Sequence, residues 1–140
     1  MIKAILIANA KKTGTYNPNP QINPLIIGIQ LPLEIIKQRI TERLQLRFAN
    51  GMIDEVKQLI EKGITLNKLL FFGLEYKYIG LYLFNQLNYN DMYQKLNSAI
   101  YQFARKQVKW FRKMEREGVK INWIEGADFD KAHEIIKNCY

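Results

Sequence analysis

Apolar and polar positions alternate most regularly between Asn90 and Gly118, in NDMYQKLNSAIYQFARKQVKWFRKMEREG, where no proline or glycine intervenes before Gly118. Tyr93, Leu96, Ile100, Phe103, Trp110 and Met114 recur at steps of 3, 4, 3, 7 and 4. That spacing keeps one face of an α-helix turned inward. Gln107 falls in the step of seven and lies on the same face. Arg105, Lys109, Arg112, Lys113 and Arg116 form a second, basic stripe. The pattern predicts a long helix with one packed face and one face able to grip an anion.

Residues 1–12, MIKAILIANAKK, carry a helical apolar face of Ile2, Ile5, Leu6 and Ala10, and lysines close the last turn. Residues 13–24 hold three of the four prolines and read as a linker. The expected organisation is therefore a helix and proline-rich linker over 1–24, followed by one region over 25–140. Residues 25–30, LIIGIQ, form a short continuous apolar run ended by Leu31 and Pro32, as a buried strand would. The other good strand candidate is KINWI, residues 120–124. Two short strands make a poor sheet, so part of the sheet is expected to lie outside this chain.

No proline follows Pro32, which favours long helices. Pro32 and Leu33 open one that Gly51 stops, with Ile36, Ile40, Leu44 and Phe48 as its buried stripe. Residues 52–62 form a second helix, ended by Gly63. Residues 69–87 read as two short helices broken near Gly73 and Gly80, and Asp128 caps a last helix reaching Lys137.

Composition sharpens the picture. The chain has 140 residues, 48% hydrophobic and 24% charged, with a formal net charge of +8. This is one globular domain's worth of sequence with a basic surface, which suits a polyanionic partner such as nucleic acid. Cys139 is alone and cannot close an internal disulfide, and no cleavable leader opens the chain, so a reducing, cytoplasmic location is expected. The most apolar window, residues 69–84, carries Glu75 and Lys77 and is too short to span a bilayer, so no membrane partner is expected.

Candidate chemistry is sparse. The chain lacks G-x-x-x-x-G-K-[ST], G-x-S-x-G, H-E-x-x-H and C-x-x-C, and its one histidine, His133, has no evident orienting partner. No catalytic residue and no metal ligand set is assigned. Arg39 and Arg43 lie four apart on one helical face, either as a solvated face paired with Glu34 and Glu42 or as an anion site. Gln107 either bonds a neighbouring backbone or faces a ligand cleft, since burying it unsatisfied would cost about 1–3 kcal/mol. Trp110 either packs in the core or stacks on a base, and the basic stripe beside it suits phosphates.

Residues 105–112, RKQVKWFR, resemble the K-R-Q-x-T-W-[FL]-R signature of the tRNA dimethylallyltransferases. The likeness extends further. Residues 31–63 resemble the family pattern L-x-R-x-x-L-x-x-R-I-x-x-R-x-x-x-M-x-x-x-G-L-x-x-E-V-x-x-L, and residues 72–77, FGLEYK, resemble a glycine-centred segment that faces tRNA. Residues 121–124, INWI, resemble the closing [IV]-x-W-[IL] strand, and residues 2–6, IKAIL, an R-A-[IL]-E helix. Departures include the swapped order Arg105-Lys106, which loses a guanidinium fork at position 106, Lys109 in place of threonine, and Lys3 and Leu6 in place of Arg and Glu.

The resemblance implies a mainly α fold. It would be the helical C-terminal part of a P-loop α/β enzyme whose sheet the strands at 25–30 and 120–124 would complete. It implies transfer of a dimethylallyl group from dimethylallyl diphosphate to N6 of adenosine 37, beside the anticodon of tRNA. The P-loop and the catalytic aspartate would precede the region present here, so the chain is expected to be a fragment or truncated form, inactive alone. No cofactor is expected on this chain, and Mg²⁺ is expected in the full-length enzyme. Arg39, with Arg43 supporting it, would reach the diphosphate. Gly73, Leu74, Glu75, Tyr76 and Lys77 would line the tRNA path, and Arg105, Lys106, Gln107, Lys109, Trp110 and Arg112 would meet the anticodon stem-loop. Two other readings stay open: a non-catalytic basic RNA-binding module or degenerate remnant, and a helical protein–protein adaptor. The unpaired apolar strand also suggests self-association.

Overall fold

The computed structural model describes residues 24–139. The predicted helix over 1–12 and all but the last residue of the predicted linker lie outside the described residues. The described region is mainly helical. It comprises β1 (Ile27–Gln30), α1 (Leu33–Ala49), α2 (Met52–Glu61), α3 (Leu66–Phe72), α4 (Leu74–Leu83), α5 (Tyr89–Arg116), β2 (Asn122–Glu125) and α6 (Phe129–Lys137). Among the described residues, no helix is long and apolar enough to cross a membrane.

Local chemistry sets most boundaries. Pro32, with φ near −54°, caps α1, and its carbonyl accepts the first helical bond from Ile36. Asn88 caps α5: its Oδ1 accepts from the Asp91 backbone N–H at 2.9 Å, while its Nδ2 donates to the Asp91 carboxylate at 3.1 Å. Asp128 caps α6 as expected, accepting from the Lys131 N–H at 3.0 Å. Gly73 separates α3 from α4 at φ 136°, a conformation that side chains rarely adopt.

Gly80 does not break a helix. It is buried inside α4, where a Cβ would lie 3.1 and 3.2 Å from methyl carbons of Leu69 and Leu66. Its small size lets α3 and α4 close on each other, and α4 runs on to Leu83.

The core is where α2, α3, α4 and the start of α5 meet, around Met52, Val56, Leu69, Ile79 and Met92. Phe48 from α1 packs against it and meets Tyr93 edge-to-face, with ring centroids 5.7 Å apart. A polar pin aligns α1 with α5: Asn97 Nδ2 donates to Thr41 Oγ1 at 3.2 Å.

The two strands pair with each other, in parallel, with Ile27 opposite Asn122 and Gln30 opposite Glu125. Both expected strands are therefore present, shifted by one or two residues. Trp123 lies directly on Gly28, where a Cβ would sit 2.6 Å from the indole. Only glycine admits that approach. Trp123 also meets Phe111 edge-to-face at 5.9 Å and donates its indole N–H to Glu115 at 2.6 Å, which ties the strand pair to the second half of α5. Ile29 stays exposed.

Candidate functional site

A groove of about 730 Å³ opens between α1, the α3–α4 junction and α5. Its walls come from separate parts of the chain: Ile36, Ile40, Arg43, Leu44 and Arg47 of α1; Leu70 and Phe71 of α3; Gly73, Leu74, Glu75 and Lys77; and Ile100, Phe103, Ala104 and Gln107 of α5. Apolar walls carrying a few charged groups can hold a ligand with an apolar and an anionic end.

The groove gathers Arg43, Gly73, Leu74, Glu75, Lys77 and Gln107 from the expected site residues. Arg43 and Gln107 are exposed. Gln107 therefore carries no burial penalty, and its side chain lines the groove. Arg39 is exposed on α1 one turn before Arg43 but does not line the groove.

Glu75 and Tyr76 diverge, because successive helical residues point about 100° apart. Glu75 turns to α1, its Oε1 lying 3.8 Å from Arg47 Nη1. Tyr76 turns the other way and donates its hydroxyl to Glu55 of α2 at 2.6 Å. That hydrogen bond, then burial, then the Glu55 charge push the Tyr76 hydroxyl above the usual tyrosine range, with Arg47 opposing weakly. The side chain of Tyr76 thus braces α4 on α2.

The second half of α5 departs from expectation. Phe103 and Trp110, assigned to the packed face, are 56% and 57% exposed. Ala104, Val108 and Phe111 are the less exposed residues there, about 100° round the helix. The reason is the strand pair: Phe111 meets Trp123 and pulls that neighbouring face inward. Phe103, Gln107 and Trp110 are left as an open stripe. Arg105, Lys106, Lys109 and Arg112 are all exposed. Of the wider basic stripe, Lys113 sits 3.5 Å from Glu117 in an exposed pair.

Sequence reasoning missed Arg47, Leu70 and Phe71 as wall residues. Arg47 could have been found, since Arg39, Arg43 and Arg47 repeat at intervals of four on α1. Phe71, 90% exposed, could not, because its place depends on how α3 meets α4.

Comparison with known proteins agrees on one family. The IPP transferase family model matches residues 3–114. A tRNA dimethylallyltransferase of Geotalea uraniireducens is 47% identical over 139 residues, spanning 98% of this chain and 46% of that protein. One from Azobacteroides pseudotrichonymphae is 43% identical over 143 residues, spanning 100% and 47%. This chain therefore spans a little under half the length of these relatives. Among solved structures, a tRNA isopentenylpyrophosphate transferase from Staphylococcus epidermidis superposes with a TM-score of 0.74 at 20% identity, over 95% of this chain and 43% of that one. One from Bacillus halodurans gives 0.70 at 24% identity, over 86% and 38%. These likenesses show a shared fold.

Proposed function

The chain belongs to the IPP transferase family, and from that premise we propose that it forms the C-terminal, helical half of a tRNA dimethylallyltransferase acting on N6 of adenosine 37. The observation that carries this reading is the groove. Arg43, the Gly73–Lys77 segment and Gln107 come from three distant stretches of sequence and meet at one concavity. Beside it run an open aromatic stripe and exposed cations.

In this reading the groove takes dimethylallyl diphosphate. The apolar walls of Ile36, Ile40 and Ile100 hold the allyl end and Arg43 holds the diphosphate, while Arg39, outside the groove on the turn before Arg43, reaches the diphosphate from the rim. N6 attacks the allylic C1. An N–C bond forms as the C–O bond to diphosphate breaks, and the leaving group carries the electron pair away. Arginine cations stabilise that developing charge. The N6 proton goes to a base in the other half of the enzyme. Adenine 37 must leave its stack to reach the groove. Trp110 then offers a face for a neighbouring base, while Arg105, Lys106, Lys109 and Arg112 contact stem-loop phosphates.

Mg²⁺ does not fit the residues described. No group of three or more His, Cys, Asp or Glu side chains gathers among them, and the groove's one carboxylate, Glu75, faces Arg47. We assign the ion, with the P-loop and the base, to the other half, and the whole enzyme to the cytoplasm.

The test is transfer of labelled dimethylallyl to an anticodon stem-loop. The 140-residue chain alone should bind the stem-loop without turnover. Mixed with a separately expressed N-terminal half from a relative, it should turn over. Turnover by the chain alone overturns the division of labour. Stem-loop binding with no turnover in any mixture favours the non-catalytic RNA-binding module.

A further inference from the structure

Of the two α1 cations that line the groove, Arg43 and Arg47, the family pattern does not call for Arg47. In R-I-x-x-R-x-x-x-M, Arg39, Ile40 and Arg43 match, and Arg47 stands at the methionine. We propose that Arg47 is an additional ligand for the anionic end of the groove's substrate, and that Glu75 occupies it until that anion arrives. The proposal rests on the reading above and deepens it.

Three observations carry it. Arg43 and Arg47 lie one turn apart on α1, and both line the groove, as Lys77 does from α4. Two guanidinium forks on one wall can each meet a phosphate group bidentately. Next, the Arg47–Glu75 contact is loose. At 3.8 Å it lies beyond hydrogen-bond range, and the two side chains remain 38% and 24% exposed. A pair of this kind holds weakly and yields to a better ligand. Finally, Glu75 has a second source of support. It lies in the first turn of α4, where the helix N-terminus favours a carboxylate. Releasing Arg47 therefore does not strand Glu75. With methionine at position 47, by contrast, Glu75 would face an incoming anion unscreened.

Glu75 then acts as a threshold. It competes weakly for Arg47, so a lone monovalent anion gains little, whereas a diphosphate that also engages Arg43 displaces it. Arg47 is a ligand in this scheme, and Glu75 is a positioning residue acting through it.

Calorimetric titration of the 140-residue chain with inorganic pyrophosphate tests this. Arg47→Met should weaken binding about tenfold or more, with Arg47→Lys intermediate because it keeps the charge and loses the fork. Glu75→Gln should tighten binding about two- to fivefold. All three variants should keep the thermal midpoint within about 4 °C of the parent, which a structural role would not. Arg43→Gln marks the groove itself. If Arg43→Gln abolishes pyrophosphate binding while Arg47→Met and Glu75→Gln leave it unchanged, the inference is overturned and the reading of the groove stands. If neither the parent nor Glu75→Gln binds pyrophosphate, the inference falls. Retained stem-loop binding would then preserve the tRNA-facing reading, and its loss would remove both.

Discussion

The two halves of α5 carry the same apolar period and meet opposite fates. Met92 and Leu96, in the first half, are fully buried, Met92 within the helical core. Phe103 and Trp110 continue the same face and stand more than half exposed. Nothing in composition separates them: the exposed pair is larger and more aromatic than the buried one. The difference is what lies opposite. α4 and α1 cover the first half, while the strand pair engages the neighbouring face of the second through Phe111 and Trp123. A hydrophobic stripe thus tells which side of a helix seeks cover, and the rest of the molecule decides whether cover is present.

That contrast can be broken by mutation. Leu96→Ala should destabilise the chain by about 2–5 kcal/mol, because it opens a cavity in a closed site. Trp110→Ala in the open half should change stability by less than about 0.5 kcal/mol. Chemical denaturation of the two variants side by side checks both, and equal losses would mean that the second half is covered after all.

Gly28→Ala probes the fastening of that second half. Its Cβ would meet the Trp123 indole at 2.6 Å, so the strand pair must shift, at a cost of about 1–3 kcal/mol. Weaker quenching of Trp123 fluorescence should accompany that loss.

Trp110→Ala should instead weaken stem-loop affinity by about 1–3 kcal/mol, read by fluorescence anisotropy. Arg112→Gln should weaken it less, and should lower the slope of log affinity against log salt by about one unit.

Tyr76→Phe should cost about 1 kcal/mol of stability, through loss of the hydroxyl donated to Glu55. The sign with pH follows from the raised Tyr76 hydroxyl. Folded Tyr76 holds its proton more tightly than the unfolded chain does, so its contribution is fully present below the ordinary tyrosine value. It is lost as pH rises through the higher folded value. Alkaline titration followed by phenolate absorbance should show one late-ionising tyrosine that Tyr76→Phe removes.

Much of this architecture was legible in the residues. Pro32, Asp128 and the apolar periods mark helices that the structure contains, and both strands stand within two residues of their expected places. Gly80 misled because a glycine that breaks a helix and one that lets two helices close look alike; only Leu66 and Leu69 packed against it distinguish them. The cap of α5 is also outside the apolar period, since Asn88 lies just before the stretch that begins at Asn90.

The site was legible as motifs and not as a shape. Residues 73–77 form one segment in sequence, yet Glu75 and Tyr76 face different helices and do different things. Arg39 and Arg43 form one pair in sequence, yet only Arg43 lines the groove, alongside Arg47. Which residue of a motif reaches a cavity depends on how three helices cross, and no local pattern encodes that.

The strand pair has a consequence for how the chain reaches this state. The hydrogen bond from Asn122 Nδ2 to the Ile26 carbonyl joins residues 96 apart, whereas the helical core is made mostly by neighbours in sequence. Closing so long a loop costs chain entropy that few β contacts repay until the helices between have shortened the span. Folding should therefore be ordered in time, with the helical cluster condensing first and β1 zipping onto β2 last. Amide exchange in pulse-labelled refolding would record that sequence as late protection at Ile27–Gln30 and Asn122–Glu125.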